Sequence, residues 1–144
     1  MRLYLDNCCF NRPFDDQSTL TVRLETEAKL HIQAAIRAKQ YTLGWSYILE
    51  YENAMNPLHE RRNEIQKWER LAAAFVVETP AILATMHEIT ALGLKPVDAL
   101  HIACAQALEC GCFLTVDKGI LKKAKSITHI RVMNPIDFVI ERGL

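Results

Sequence analysis

Five short apolar runs alternate with helical stretches along this chain, and the runs are continuously apolar instead of switching between polar and apolar. They are residues 1–5 (MRLYL), 41–45 (YTLGW), 74–79 (AFVVET), 112–117 (CFLTVD) and 130–134 (IRVMN). Strands that face solvent on one side alternate in polarity. Strands that do not are covered on both faces, and parallel strands need a crossover segment, usually a helix, between them. The pattern therefore predicts an α/β fold, a three-layer α/β/α sandwich around a central parallel sheet of about five strands.

The intervening segments fit that frame. The turn-like NRPFDDQS (11–18) follows the first strand, and Ser18 or Asp16 is the expected cap of the next helix. Over 20–39, Leu24, Ala28, Ile32, Ala35 and Ile36 recur at helical spacing, with Glu25 and Lys29 as an i,i+4 pair on another face. A helix opened by Ser46 runs to about residue 55 and stops at Asn56-Pro57. Residues 58–74 read as a charged helix. A helix starting at Pro80 is ended by Gly93, and an almost wholly apolar one over 97–110 ends at Gly111. A short basic helix at 118–125 and a closing helix at 135–141 complete the series. No linker, repeat or low-complexity segment interrupts residues 1–144, so a single domain is expected.

Four acids stand out against this apolar background: Asp6, Glu52, Asp98 and Asp117. Each lies near a strand end or a helix start with few basic neighbours in sequence, and a carboxylate is costly to bury unless something cationic meets it. In an open parallel sheet the functional crevice lies beyond the carboxyl ends of the strands. Asp6 and Asp117 each end a predicted strand, and Glu52 and Asp98 fall in the opening turns of helices, so all four are expected at that edge. Glu50 competes with Glu52. At about 100° per residue the two point nearly opposite ways, and Glu52 shares the face of Ile48, Leu49 and Met55. The ordinary alternatives are a helix-dipole role for Asp98 after Pro96 and a helix-capping role for Asp117. Several close carboxylates repel, and a hard divalent cation is one escape. An oxygen-only set suits Mg²⁺ or Mn²⁺ better than Zn²⁺, which more often recruits His or Cys.

The segments YLDNCCF, SYILEYE, KPVDALHIA and FLTVDK, in this order and spacing, resemble the PIN-domain family of metal-dependent ribonucleases. The resemblance covers residues 1 to about 121 and extends to the words RPFDD, NP and ALH that follow the first three acids. It selects Glu52 as well, six residues after Ser46 and four before Asn56. It implies that Asp6, Glu52, Asp98 and Asp117 are the catalytic, metal-binding acids and that Mg²⁺ or Mn²⁺ is the cofactor. RNA is then the substrate. Small PIN proteins of this size are similar to the toxin half of VapBC-type toxin–antitoxin pairs, which implies an antitoxin protein as partner and a homodimer. Asn7, Ser46, Thr115 and His101 stand close behind the acids in sequence. Asn7 is a candidate to bond Asp6 or a phosphate, Ser46 to hold water, and His101 to touch RNA or an acid or to be a satisfied histidine at the rim of the core. Two other classes remain open: a catalytically weak PIN-type module that binds RNA or a partner, and a metal-dependent DNA nuclease or phosphatase. A DxD after the first strand, usual in one such phosphatase family, is absent from Asp6-Asn7-Cys8.

Charge narrows the substrate. Lys plus Arg and Asp plus Glu are 17 each, so no global positive field exists to coat a duplex. Basic residues gather locally instead, at Lys118, Lys122, Lys123, Lys125 and Arg131 and at Arg61 and Arg62, where an ordinary solvated helix face is the alternative reading. The five cysteines (8, 9, 104, 110 and 112) form neither a CxxC pair nor a zinc-finger spacing and read as small core residues. No secretory leader and no bilayer-spanning run is expected, which points to a cytoplasmic, reducing setting.

Overall fold

Strands β1 (Arg2–Leu5), β2 (Thr42–Ser46), β3 (Ala74–Val76), β4 (Cys112–Leu114) and β5 (Arg131–Met133) form one all-parallel sheet in the order β3-β2-β1-β4-β5. The computed structural model describes all 144 residues. Eight helices connect and cover the strands: α1 (Asn7–Asn11), α2 (Leu20–Arg37), α3 (Tyr47–Ala54), α4 (His59–Leu71), α5 (Pro80–Thr90), α6 (Pro96–Ala107), α7 (Lys118–Leu121) and α8 (Pro135–Arg142). The chain has the three-layer α/β/α architecture expected from its continuous apolar strands. Leu3, Tyr4 and Leu5 of β1 and Cys112, Phe113 and Leu114 of β4 are buried to within 1% of full coverage, as central strands clad on both faces must be. Edge strand β3, by contrast, exposes Phe75. No helix is long and apolar enough to cross a membrane.

The direction of chain travel positions the site. From β1 the chain steps to β2 and then β3; it returns to β4 on the other side of β1 and steps on to β5. Right-handed crossovers place helices laid down in opposite directions on opposite faces of the sheet. The packing agrees, with α2 against α8 and α5 against α6. The segments leaving β1 and β4 therefore diverge at the carboxyl edge, the place where open parallel sheets commonly bind ligands.

Several local expectations are corrected. Residues 7–14 are not a plain turn: α1 and a 3₁₀ turn over Arg12–Phe14 fill them, started by the Asp6 carboxylate, which accepts the Asn7 N–H at 2.8 Å. Neither Ser18 nor Asp16 caps α2. Thr19 holds that position without a side-chain bond, while Asp16 accepts the Ser18 N–H in a local turn. Glu25 and Lys29 are both buried and do not pair with each other. Glu25 meets Arg12 and Asn134, and the Lys29 amine lies over the Phe10 ring. β4 ends at Leu114, so Asp117 lies beyond the strand, and the 118–125 helix is shortened to α7 and a 3₁₀ turn. After α6 it is Glu109, with φ 57°, that turns left-handed. Gly111 serves a different need, since a Cβ there would stand 2.7 Å from Cγ of Met1.

Candidate active site

Asp6 and Asp117 stand just beyond the carboxyl ends of β1 and β4. The Asp6 N–H donates to Leu114 O at 2.9 Å, so pairing between β1 and β4 runs on to the acid itself. Thr115, fully buried, ties the two acids together with one hydroxyl. It donates to Oδ2 of Asp6 at 2.8 Å and accepts the Asp117 N–H at 3.1 Å. The Cys8 thiol lies 3.4 Å from both Asp6 Oδ2 and the Thr115 hydroxyl. Asp117 caps α7, its Oδ1 accepting the N–H groups of Gly119 (2.7 Å) and Ile120 (3.2 Å). The capping geometry considered for this residue is thus realised, and it leaves Oδ2 without a protein hydrogen bond. Asn7 meets Asp6 through its backbone N–H; its side chain turns to Asn11.

Asp98 occupies the third position of α6, half-buried, with neither a hydrogen bond nor an ion pair. Burial, then the charges of Asp6 and Asp117, push its carboxyl from 3.8 up to about 6, against a weaker pull from His101 and Lys95. Asp6 and Asp117 therefore stand near enough for their charges to act on Asp98. None of the three forms a salt bridge, so no side chain of the protein neutralises them by contact.

The fourth acid enters from α3. Glu52 is half-buried and accepts from Nε2 of His101, whereas Glu50 is exposed. His101 lies one turn after Asp98 and is 1% exposed. Its Nδ1 is 2.6 Å from the Tyr4 hydroxyl, which is in turn 2.6 Å from Oγ of Ser46. Ser46 caps α3 by accepting the Leu49 N–H at 3.2 Å. Burial opposes the imidazolium of His101, but the Glu52 bond and the charges of Asp6, Glu52 and Asp98 outweigh it and the pKa is raised. Burial, foremost, lifts the Tyr4 phenol well above its ordinary value.

Sequence reasoning missed Tyr4. A tyrosine between two leucines in the central strand carries the signal, because a hydroxyl buried there requires a partner. Ser46 is fully buried, and its hydroxyl meets both the Tyr4 hydroxyl and the Leu49 N–H. The two basic groups divide. Lys118, Lys122, Lys123 and Lys125 are exposed and form no ion pairs, while Arg131 pairs with Glu141 at 2.5 Å. Arg61 donates to Phe14 O and Arg62 to Asn56 O, so both brace the fold.

The acids are not drawn together tightly: no three His, Cys, Asp or Glu side chains stand close enough to hold one ion. Like charges with no cation between them keep apart, and Asp6 and Asp117 meanwhile satisfy helix-start N–H groups. The donor chemistry nonetheless fits a hard cation, being all carboxylate, unpaired by lysine or arginine, and mutually repelling.

Comparison with known proteins gives a family and a fold. The PIN domain profile matches residues 4–126. No curated protein sequence matches significantly. Among solved structures, FitAcB from Neisseria gonorrhoeae superposes with a TM-score of 0.62 at 17% identity, covering 92% of this chain and 97% of that one. VapBC-1 from nontypeable Haemophilus influenzae gives 0.60 at 14% identity, covering 94% and 98%. VapBC2 from Rickettsia felis, bound to a DNA fragment from its promoter, gives 0.58 at 14% identity, covering 93% and 98%.

Proposed function

The chain belongs to the PIN-domain family of nucleases, and on that premise we propose that it is a Mg²⁺- or Mn²⁺-dependent endoribonuclease of the VapC toxin type, held in check by an antitoxin protein. One observation carries the metal assignment: Asp98 is pushed up to about 6 by burial and by Asp6 and Asp117, with no protein cation paired to any of the three. A cation among them relieves that repulsion. Asp6, Glu52, Asp98 and Asp117 are the residues that would hold it. Bound there, it supplies charge neutralisation at a scissile phosphate and a water acidic enough to serve as nucleophile.

The chain's own residues set the frame. Thr115 keeps Asp6 and the start of α7 in register, and the free Oδ2 of Asp117 faces no protein donor. The unpaired lysines from 118 to 125 follow Asp117 directly and offer backbone phosphates a local positive surface that the neutral chain otherwise lacks. Single-stranded or looped RNA, held by backbone contacts and splayed bases, suits a chain with so small a basic surface. The antitoxin assignment is supported by the shared fold of FitAcB and the two VapBC structures.

A catalytically weak binding module is favoured by one feature, the engagement of both Asp6 oxygens and of Asp117 Oδ1 in protein hydrogen bonds. Incubating the purified protein with structured RNA, single-stranded DNA and a small phosphate ester, in Mn²⁺ or in EDTA, separates the readings. Cleavage of RNA alone, abolished by EDTA, is the expected result. Cleavage of DNA or the ester points to the other hydrolases, and no cleavage points to the binding module.

A further inference from the structure

The hydrogen bonds behind Glu52 form a chain with a direction. A carboxylate only accepts, so the proton between His101 and Glu52 sits on Nε2. The Leu49 N–H donates to Ser46 Oγ, which frees the Ser46 O–H to donate to Tyr4 and the Tyr4 O–H to donate to Nδ1 of His101. In that order each of these links is satisfied by a single proton. The chain also closes on itself, because Ser46 caps α3 and Glu52 lies within it. It thereby locks α3 to β1 through Tyr4 and to α6 through His101.

Packing alone does not call for this arrangement. Tyr4, Ser46 and His101 are each at most 1% exposed, and three polar side chains at that depth are tolerated only when all their partners are present. We propose that Tyr4 and His101 are positioning residues for Glu52. Glu52 sets the His101 tautomer with the proton on Nε2, Tyr4 donates to Nδ1 and so fixes the plane and position of the ring, and the Nε2 proton holds Oε1 of Glu52, leaving Oε2 free of that bond. The proposal rests on the nuclease reading for its consequence but not for its geometry. Partners standing behind a metal ligand commonly set affinity by 10- to 100-fold.

Two readouts test it, one free of metal and RNA. Nitrogen NMR of the metal-free protein at alkaline pH, where the imidazoles are neutral, should give the Nε2-protonated tautomer for His101, and Tyr4→Phe, which removes the donor to Nδ1, should move the Nδ1 resonance to that of an imidazole nitrogen without a hydrogen bond while the ring at position 4 keeps its stack on Phe113. In Mn²⁺ titration calorimetry, Tyr4→Phe should bind about tenfold more weakly or worse, and His101→Leu at least as weakly. His101→Gln restores an N–H near the Nε2 position and should recover most of the affinity, a rescue that a merely structural role does not predict. An unchanged His101 signal in Tyr4→Phe, or wild-type Mn²⁺ affinity in both Tyr4→Phe and His101→Leu, overturns the proposal. Absence of Mn²⁺ binding by the wild-type protein defeats the nuclease reading instead, and the nitrogen NMR measurement still decides the positioning claim. If Tyr4→Phe does not fold, the His101→Leu and His101→Gln pair decides it by the same comparison.

Discussion

Asp98→Asn gives opposite signs of stability change for the two roles considered for this residue. Its carboxyl is raised in the folded protein from 3.8 to about 6, by burial first and then by Asp6 and Asp117. A group with a raised folded-state pKa contributes stability that is fully present below its unfolded pKa and is lost as pH rises through the folded one. For Asp98 that window runs from about pH 4 to about pH 6, so at pH 7.5 the metal-free protein carries the whole penalty of the ionised form. The unscreened shift corresponds to about 3 kcal/mol. Asp98 is only half-buried, and solvent screening reduces this to about 1 kcal/mol. Against it stands the favourable charge–dipole interaction at the start of α6, about 0.3 to 0.5 kcal/mol, which asparagine gives up. Relief wins. Asp98→Asn should therefore stabilise the metal-free protein by about 0.5 kcal/mol or slightly more, a Tm rise of roughly 1–3 °C for a domain of this size. Melting in EDTA at pH 7.5 and 4.5 measures it, with the gain at pH 7.5 expected to shrink markedly at pH 4.5. A variant that melts lower than wild type at pH 7.5 refutes the reasoning, because Asp98 then acts as an ordinary helix-start acid.

Other outcomes follow from the same structure. Thr115→Val removes the hydroxyl shared by Asp6 and Asp117, and should cost about 1–3 kcal/mol in urea unfolding together with a clear loss of Mn²⁺ affinity by calorimetry; unchanged values for both dissociate Thr115 from the acids. Lys29 is buried over Phe10, and burial foremost lowers its pKa from 10.5 to about 8. Below about pH 8 the amine is charged in the folded protein and carries the full burial penalty, which fades as pH rises from about 8 to 10.5. Lys29→Met should stabilise the protein at pH 7 by about 1–2 kcal/mol, with the gain disappearing above pH 10, and destabilisation at pH 7 counts against the assignment. Leu20, Leu24, Leu30, Leu58 and Leu71 are 44–60% exposed on or beside α2 and α4, and they are the apolar surface expected to mediate a homodimer. Light scattering at micromolar concentration should give twice the chain mass, and a monomer mass rejects it.

The sheet was legible because central parallel strands must be apolar throughout, and LYL and CFL are. The turn between Asp6 and the first long helix was misread for a physical reason: NCCFN has no helical periodicity of its own, and α1 exists because the Asp6 carboxylate caps it while Phe10 packs on Trp45. Glu25 and Lys29 looked like a surface pair because spacing carries no information about what lies opposite, here Arg12, Asn134 and Phe10. The positions of the four acids could be read in advance: Asp6 and Asp117 follow β1 and β4, Asp98 lies in the first turn of α6 and Glu52 within α3. The Tyr4 link could not be placed, since it joins residues 42 and 97 positions apart through side chains that only the folded sheet brings together.

Calorimetric titration of Mn²⁺ into the wild-type protein and into Asp6→Asn, Asp98→Asn and Asp117→Asn tests the metal-site account most directly. Saturable binding by the wild type, weakened at least about tenfold in each variant, is the predicted result. Wild-type heats indistinguishable from dilution, or affinities that the three substitutions leave unchanged, contradict it.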